Sequence, residues 1–268
     1  MGTALLKIAF VLAIAAPAGS ISAQIPPDLT EQSRRAGPSS NPPLSSERIS
    51  TGSEDGPALQ DYQQSRYNPL PSAIKVARLH YSGGGDWYWG SSSIPNFLRF
   101  VRDNTEMPVD TIERQVRITD PELFQYPFLF ATGHGVISFS PEERERLRQY
   151  LMAGGFLFVN DSYGVDQTFR RQMAALFPER EVVELPFDHP IYHCFYDFPN
   201  GPPKIHEHDK LAPRGYTLVV NGRAVLYFLV ESDIGDGWED EQVHNDPPDK
   251  RQEAFRMGLN LLTYALLY

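Results

Sequence analysis

The sequence predicts an α/β domain built on a mostly parallel sheet with helices packed against it. Three observations carry that expectation. Tyr126 to Gly164 runs through an apolar strand, a glycine turn, a capped helix, a Gly-Gly stop and a second apolar strand, which is one βαβ unit. Its strands, Phe128 to Ala131 and Phe156 to Val159, are unbroken apolar runs, the pattern of strands buried on both faces and joined in parallel by a helical crossover. Further on, Tyr216 to Val220 and Ala224 to Val230 flank Asn221-Gly222, a two-residue hairpin signal, so an antiparallel pair is expected at one edge.

Taken in order, residues 1–23 have the pattern of an export signal. Lys7 precedes an apolar run from Ile8 to Ala16, and Ile21-Ser22-Ala23 offers a small residue before a cut at Gln24. The run is shorter than the roughly 20 residues of a membrane span, so no transmembrane span is expected after cleavage; an uncleaved anchor is the alternative. Residues 24–58 are dense in Pro, Ser and Gly and poor in large apolar side chains. Such a segment cannot bury enough surface to offset chain entropy and is expected to be a disordered linker. The remaining residues, 59–268, are the size of a single α/β domain.

Within that domain, Ala73 to Tyr81 has strand composition and leads through Ser82-Gly83-Gly84-Gly85-Asp86-Trp87-Tyr88-Trp89 into a helix over Ile94 to Asp103. Val109 to Ile112 and Val116 to Ile118 are short strand candidates, and Asp120-Pro121 opens a brief helix. The helix of the βαβ unit has clear punctuation: Ser140 at the N-cap, Pro141 at N1, Glu143 at N3 closing a capping box, and Gly154 at its end. Val165 to Phe177 is a further amphipathic helix, and Glu181 to Leu185 a short strand. The proline-broken segment Pro186 to His193 is expected to be loop. Lys250 to Leu266 is the last helix, with Phe255, Leu259, Leu262 and Leu266 as its inward stripe.

The net charge of -10 argues against a nucleic-acid partner, because phosphate binding rests on clustered Lys and Arg. The single cysteine, Cys194 in IYHCFYDF, rules out an intrachain disulfide and suits a small buried hydrophobe.

In an open parallel sheet, the loops leaving the carboxyl ends of the strands converge on one crevice, where ligands bind. Four such loops are legible: Ser82 to Trp89, Gly133-His134-Gly135, Asn160 to Gly164, and Glu231-Ser232-Asp233. The ligand-binding candidates are therefore Gly83, Gly84, Gly85, Asp86, Trp87, Trp89, Gly133, Gly135 and Asp233. The glycine run lacks a GxGxxG or GxxxxGK[ST] pattern, so nucleotide binding has weak support. The tryptophans can stack on a ligand or plug the sheet edge. Asp233 to Asp246 is acidic without EF-hand spacing and is expected to form a mobile acidic lid.

The stretch ATGHGVISFSPEERERLRQYLMAGGFLFVND resembles the central part of the class I glutamine amidotransferase-like superfamily, including its ThuA-like branch. Residues 59–268, with DHPIYHCFYDF, the SD before GDGW, and GLNLLTYAL, resemble an exported bacterial family of unknown function, DUF4159. The resemblance implies a flavodoxin-like or amidotransferase-like three-layer sandwich, and by association an envelope role; it brings no established activity. It also places Ser162-Tyr163-Gly164 where the superfamily keeps its nucleophile turn, and Gly133-His134-Gly135 where oxyanion-hole glycines lie. The amidotransferase cysteine is absent. Ser162 could act in its place if a histidine took its proton, so the catalytic candidates are Ser162, His134, Asp161, His189 and His193, with Asp188 or Asp197 as orienting carboxylates. The competing reading is that Asp161 or Ser162 caps the next helix and Gly164 allows a tight turn.

Histidines offer a second chemistry. His189, His193, His206 and His208 lie close in sequence to Asp188, Asp197, Glu207 and Asp209, and imidazole with carboxylate is a divalent-metal ligand set. The spacing matches no motif such as HExxH, so no metal or other cofactor is assigned. The sequence thus points to a periplasmic or otherwise exported α/β domain acting as a non-catalytic binding or interaction module of the envelope, with a small-molecule or envelope-protein ligand. A serine- or metal-dependent hydrolase using the same rim is the alternative.

Overall fold

A computed structural model describes residues 73–206 and 208–268. The export-signal and linker expectations, and Glu207, lie outside the described residues.

Seven strands form one sheet, ordered β2-β1-β3-β4-β7-β6-β5. Strands β1 (Val76–Leu79), β2 (Arg114–Val116), β3 (Phe128–Ala131), β4 (Phe156–Asn160) and β7 (Arg223–Val230) pair in parallel, whereas β6 (Arg214–Val220) runs antiparallel to β7 and to β5 (Val183–Glu184). Asn221-Gly222 makes the hairpin turn, with both residues at positive φ (52° and 80°), as a primed turn requires. The antiparallel edge therefore has three strands, and one arm of the hairpin doubles as the fifth parallel strand.

Side chains of successive strand residues point to opposite faces, and the sheet is covered on both. Phe128, Phe130, Phe156 and Phe158 pack against α1 (Ser93–Asn104) and α6 (Pro248–Leu267), while Leu129, Ala131, Leu157 and Val159 pack against α2 (Pro141–Met152) and α3 (Asp166–Leu176). The result is the three-layer α/β arrangement expected. The capping box of α2 is formed: Glu143 N donates to Ser140 Oγ at 3.1 Å and Ser140 N donates to Glu143 Oε2 at 2.7 Å. No helix among the described residues is long and apolar enough to cross a membrane.

Three local expectations are corrected. Val109 makes only an isolated bridge to Ile74, because the Asp110 side chain accepts from Ile112 N and turns the chain; the strand forms instead at Arg114–Val116. The Pro186 to His193 segment includes a 3₁₀ turn, Pro190–Tyr192, with Ile191 and Tyr192 fully buried. The acidic segment after β7 is no open lid. It folds into two short helices, α4 (Ile234–Gly237) and α5 (Glu241–His244), and Ile234 and Trp238 are completely buried beneath them. Cys194 is partly buried and donates to Asn260 O; burial pushes its thiol up to about 12.

Candidate functional site

Strands β1 and β3 are neighbours, yet the chain leaves β1 toward β2 and leaves β3 toward β4. That reversal opens a crevice beyond their carboxyl ends. The glycine loop after β1 is held there by Arg78, a strand residue that is 1% exposed. Its guanidinium donates to Glu113 (2.7 Å), Trp89 O (2.5 Å), Gly90 O (2.8 Å) and Ser93 Oγ (3.2 Å). The loop is zipped to the loop after β3 through Gly85 N to Val136 O (3.0 Å) and Ser138 N to Ser82 O (2.7 Å). A Cβ on Gly85 would sit 2.8 Å from His134 O, and one on Gly133 would sit 2.7 Å from Asp86 Oδ1. Gly85 and Gly133 thus serve loop-to-loop approach, which is why small residues recur here. The Asp86 carboxylate accepts from His134 N and faces His134 Nδ1 at 3.0 Å. Burial lifts the Asp86 carboxyl, but the hydrogen bonds from His134 outweigh it and hold it below the usual range. Trp87 stacks on His80, at 3.9 Å between centroids, whereas Trp89 turns its edge to His134 on the rim.

The β4 end is a buried polar knot. Asn160 Nδ2 donates to Asp233 Oδ1 (2.6 Å) and Ser162 Oγ (3.2 Å), and Asn160 Oδ1 accepts from Gly235 N (3.1 Å). Ser162 Oγ also meets Thr132 Oγ1 at 3.0 Å. Ser162 is 1% exposed, and its recorded partners are a hydroxyl and an amide. His189 is elsewhere: its Nδ1 accepts from Ile191 N, and its ring packs on Tyr264, whose hydroxyl accepts from Ala224 N at the opposite, amino-terminal end of β7. His193 is tied to Asp197 (2.5 Å) and Phe187 O (2.7 Å). The expected recruitment of either histidine to Ser162 is therefore not formed, because the segment carrying them packs against α6 instead of crossing to the rim.

Asp161 closes the turn before α3, its Oδ1 accepting from Tyr163 N and Val165 N at 3.0 Å each, but the expected helix cap is not formed, since Val165 stands at the N-cap with no side-chain cap bond. Burial raises its carboxyl, against the lowering by those two N–H groups and with further raising by the Asp166 and Asp233 charges. With a folded pKa above the unfolded value of about 3.9, the stability Asp161 contributes is fully present below that pH and is lost as pH rises through the folded pKa. Asp161→Asn keeps an oxygen for both turn N–H groups without the buried charge. The variant should gain on wild type in thermal melts as pH rises from 4 to 7; parallel melting-temperature profiles would refute this.

The exposed residue of the turn is Tyr163, at φ 128°, a costly conformation for a bulky side chain. Glu231 and Asp233, both at φ 60°, add left-handed backbone to the same rim. Between these turns lies a cleft of about 430 Å³, lined by Asp161, Tyr163, Gly164, Asp166, Asp209 and Glu231 among others. His208 stacks on Tyr163 (5.4 Å) and bonds Asp233 Oδ2 (2.5 Å). Lys204 pairs with Glu231 at 2.8 Å.

Beside this cleft, α4 and α5 bring a second group together. His206, Asp236 and His244 offer ligand atoms that all lie within 4.8 Å of one another. Asp246 bonds His206 Nε2 at 2.7 Å and Glu239 bonds His244 Nε2 at 3.0 Å. Burial among Asp233, Glu239 and Asp246 raises the Asp236 carboxyl far above its ordinary value, partly offset by a bond from Trp89. Of the histidines that the sequence grouped, His206 alone enters this cluster; its partner, His244, comes from the acidic segment. The Ile234/Trp238 spacing, four residues apart as on a helix face, is the signal that the segment folds inward.

Sheet order and rim together define a doubly wound α/β protein with its crevice at the carboxyl ends of the parallel strands. Residues 75–266 match the family described as domain of unknown function (DUF4159), and the chain belongs to that family. A search of curated proteins found no match.

Proposed function

We propose that this is an exported, non-catalytic binding module of the cell envelope whose cleft at Tyr163 takes a ligand bearing an amine or guanidinium group. The carrying observation is the lining of that cleft: the half-exposed Tyr163, with His208 against its ring, beside Asp161, Asp209 and the ion-paired Asp166 and Glu231, on a chain of net charge -10. Carboxylates and a phenol ring are the surroundings that a cationic group prefers over water. Binding rather than cleavage is supported by Ser162, whose hydroxyl is buried among Thr132 and Asn160. Export rests on the Lys7, Ile8 to Ala16 and Ile21-Ser22-Ala23 pattern. A place in the class I glutamine amidotransferase-like superfamily belongs to the same proposal, supported by the likeness of the 131–161 segment.

Calorimetric titration with spermidine, glucosamine and Lys- or Arg-containing peptides separates the sources of the cationic group, with acetate as the anionic control. We expect saturable binding of at least one cation. Tyr163→Gly should lower that affinity about tenfold or more while leaving the fold intact, since glycine relieves the positive φ. Ser162→Ala should leave affinity unchanged and cost only about 1 kcal/mol of stability. Turnover of an ester or amide panel that disappears in Ser162→Ala, with labelling of Ser162 by a serine-reactive phosphonate, would replace this reading with the hydrolase.

A further inference from the structure

The α4–α5 cluster differs from a set of solvated acids. Asp233, Asp236, Glu239 and Asp246 are each at least nine-tenths buried. Among the described residues, the basic side chains recorded within ion-pair distance of these four are imidazoles, of His206, His208 and His244. Burying so many carboxylates without a compensating cation is costly.

The geometry supplies the reason. Asp236 Oδ2 lies 3.8 Å from His206 Nδ1 and 3.5 Å from His244 Nε2, too far for good hydrogen bonds. Ligands around a tetrahedral zinc-class ion, at about 2.0–2.2 Å from it, stand roughly 3.3–3.6 Å from one another; these two separations are near that range, and the three ligand atoms, all within 4.8 Å of one another, would draw in by at most about an ångström. The other nitrogen of His206 is held by Asp246 at 2.7 Å. A carboxylate on the far nitrogen is how metal-bound imidazoles are oriented and made more basic. Glu239 Oε2, 3.0 Å from His244 Nε2, borders the trio and adds negative charge beside it.

We propose that His206 Nδ1, Asp236 and His244 Nε2 bind one divalent first-row transition-metal ion, with a fourth position left to solvent or ligand and Asp246 as the positioning carboxylate of His206. Imidazole with carboxylate is the donor set that favours such ions over calcium or magnesium. The ion ties the 206 segment, α4 and α5 into one unit, next to Trp89 on the rim. This site is distinct from the Tyr163 cleft, so each can fail without the other.

The test is elemental analysis of the full chain, purified without a metal-affinity step, followed by stripping with a chelator and titration with zinc. Close to one ion per chain is expected, with a melting temperature that falls on stripping and returns on adding zinc. Asp246→Asn should weaken zinc about 10- to 100-fold. His244→Gln should abolish uptake, and cobalt added to stripped wild type, but not to His244→Gln, should give the visible bands of a tetrahedral ion. His193→Gln, altered at a remote histidine, should bind as wild type does and shows that any loss is local. Stripped wild type that takes up neither zinc nor cobalt at micromolar concentration overturns the proposal. So does unchanged uptake by a folded His206→Gln/His244→Gln double variant.

Discussion

Arg78→Leu is expected to destabilise the domain by about 3–5 kcal/mol, the usual cost of breaking a buried charge network from one side. The guanidinium is 1% exposed and holds Glu113 together with the carbonyls of Trp89 and Gly90 and the Ser93 hydroxyl. Leucine fills most of the volume but leaves Glu113 without its cation and those loop acceptors without donors. Arg78→Lys keeps the charge and loses the fork, so it should recover part of the deficit and no more. Because these bonds converge on the turn between Trp87 and Ser93, the loss should also loosen the β1 loop, raising amide exchange at Gly85, whose N–H bonds Val136 O. Urea unfolding of the three proteins measures the ranking. A cost below 1 kcal/mol for Arg78→Leu would mean that the loop is held by its backbone contacts to residues 134–138 instead.

Trp238→Ala is expected to cost a similar amount, about 3–5 kcal/mol, through a different term: a cavity under the rim. The indole is completely buried, stacks on Phe97 at 4.4 Å and 13°, and meets Phe130 and Phe158 at 5.3 and 5.8 Å. Its Nε1 donates to Ala254 O in α6 at 2.9 Å, and a Cβ on Gly258 would lie 2.4 Å from its ring. Helix α6 is thus seated directly on the indole. Gly258→Ala should overpack wild type yet be milder in the Trp238→Ala background, where the nearest obstructing ring is gone and Phe97, 2.8 Å from the new methyl, can move into the space the indole leaves. Additive costs in that double-mutant cycle would show that the ring and the helix do not share one packing contact. Since Trp238 lies between Asp236 and Glu239 in sequence, the same variant should lose zinc uptake along with stability.

Much of the scaffold was legible because its signals are local. The Ser140 to Glu143 capping box, the apolar runs at 128–131 and 156–159, and the Asn221-Gly222 turn each lie within a few residues, and each forms in the structure. The short strands were less legible: an Asp110 side chain that captures its own backbone displaced β2 by a few residues, a competition that periodicity does not register.

For the rim, the loops themselves could be named from topology, since strand ends in a parallel sheet share one side. Which side chains meet there could not. Arg78 is a single polar residue inside an apolar strand, Asn160 ends another, and their partners are 35 and 73 residues away at Glu113 and Asp233. His206 and His244 meet because β7 docks beside β4 and the chain beyond it folds back over the buried Trp238. The sequence by itself determined the parallel α/β scaffold, its edge hairpin and the position of the crevice, because hydrophobic period and turn chemistry are written in neighbouring residues. Tertiary structure alone decided that Ser162 is enclosed, that His189 packs on α6 while His193 stays at the surface with Asp197, and that two distant histidines share buried carboxylates, because long-range pairing depends on the sum of packing over the whole sheet.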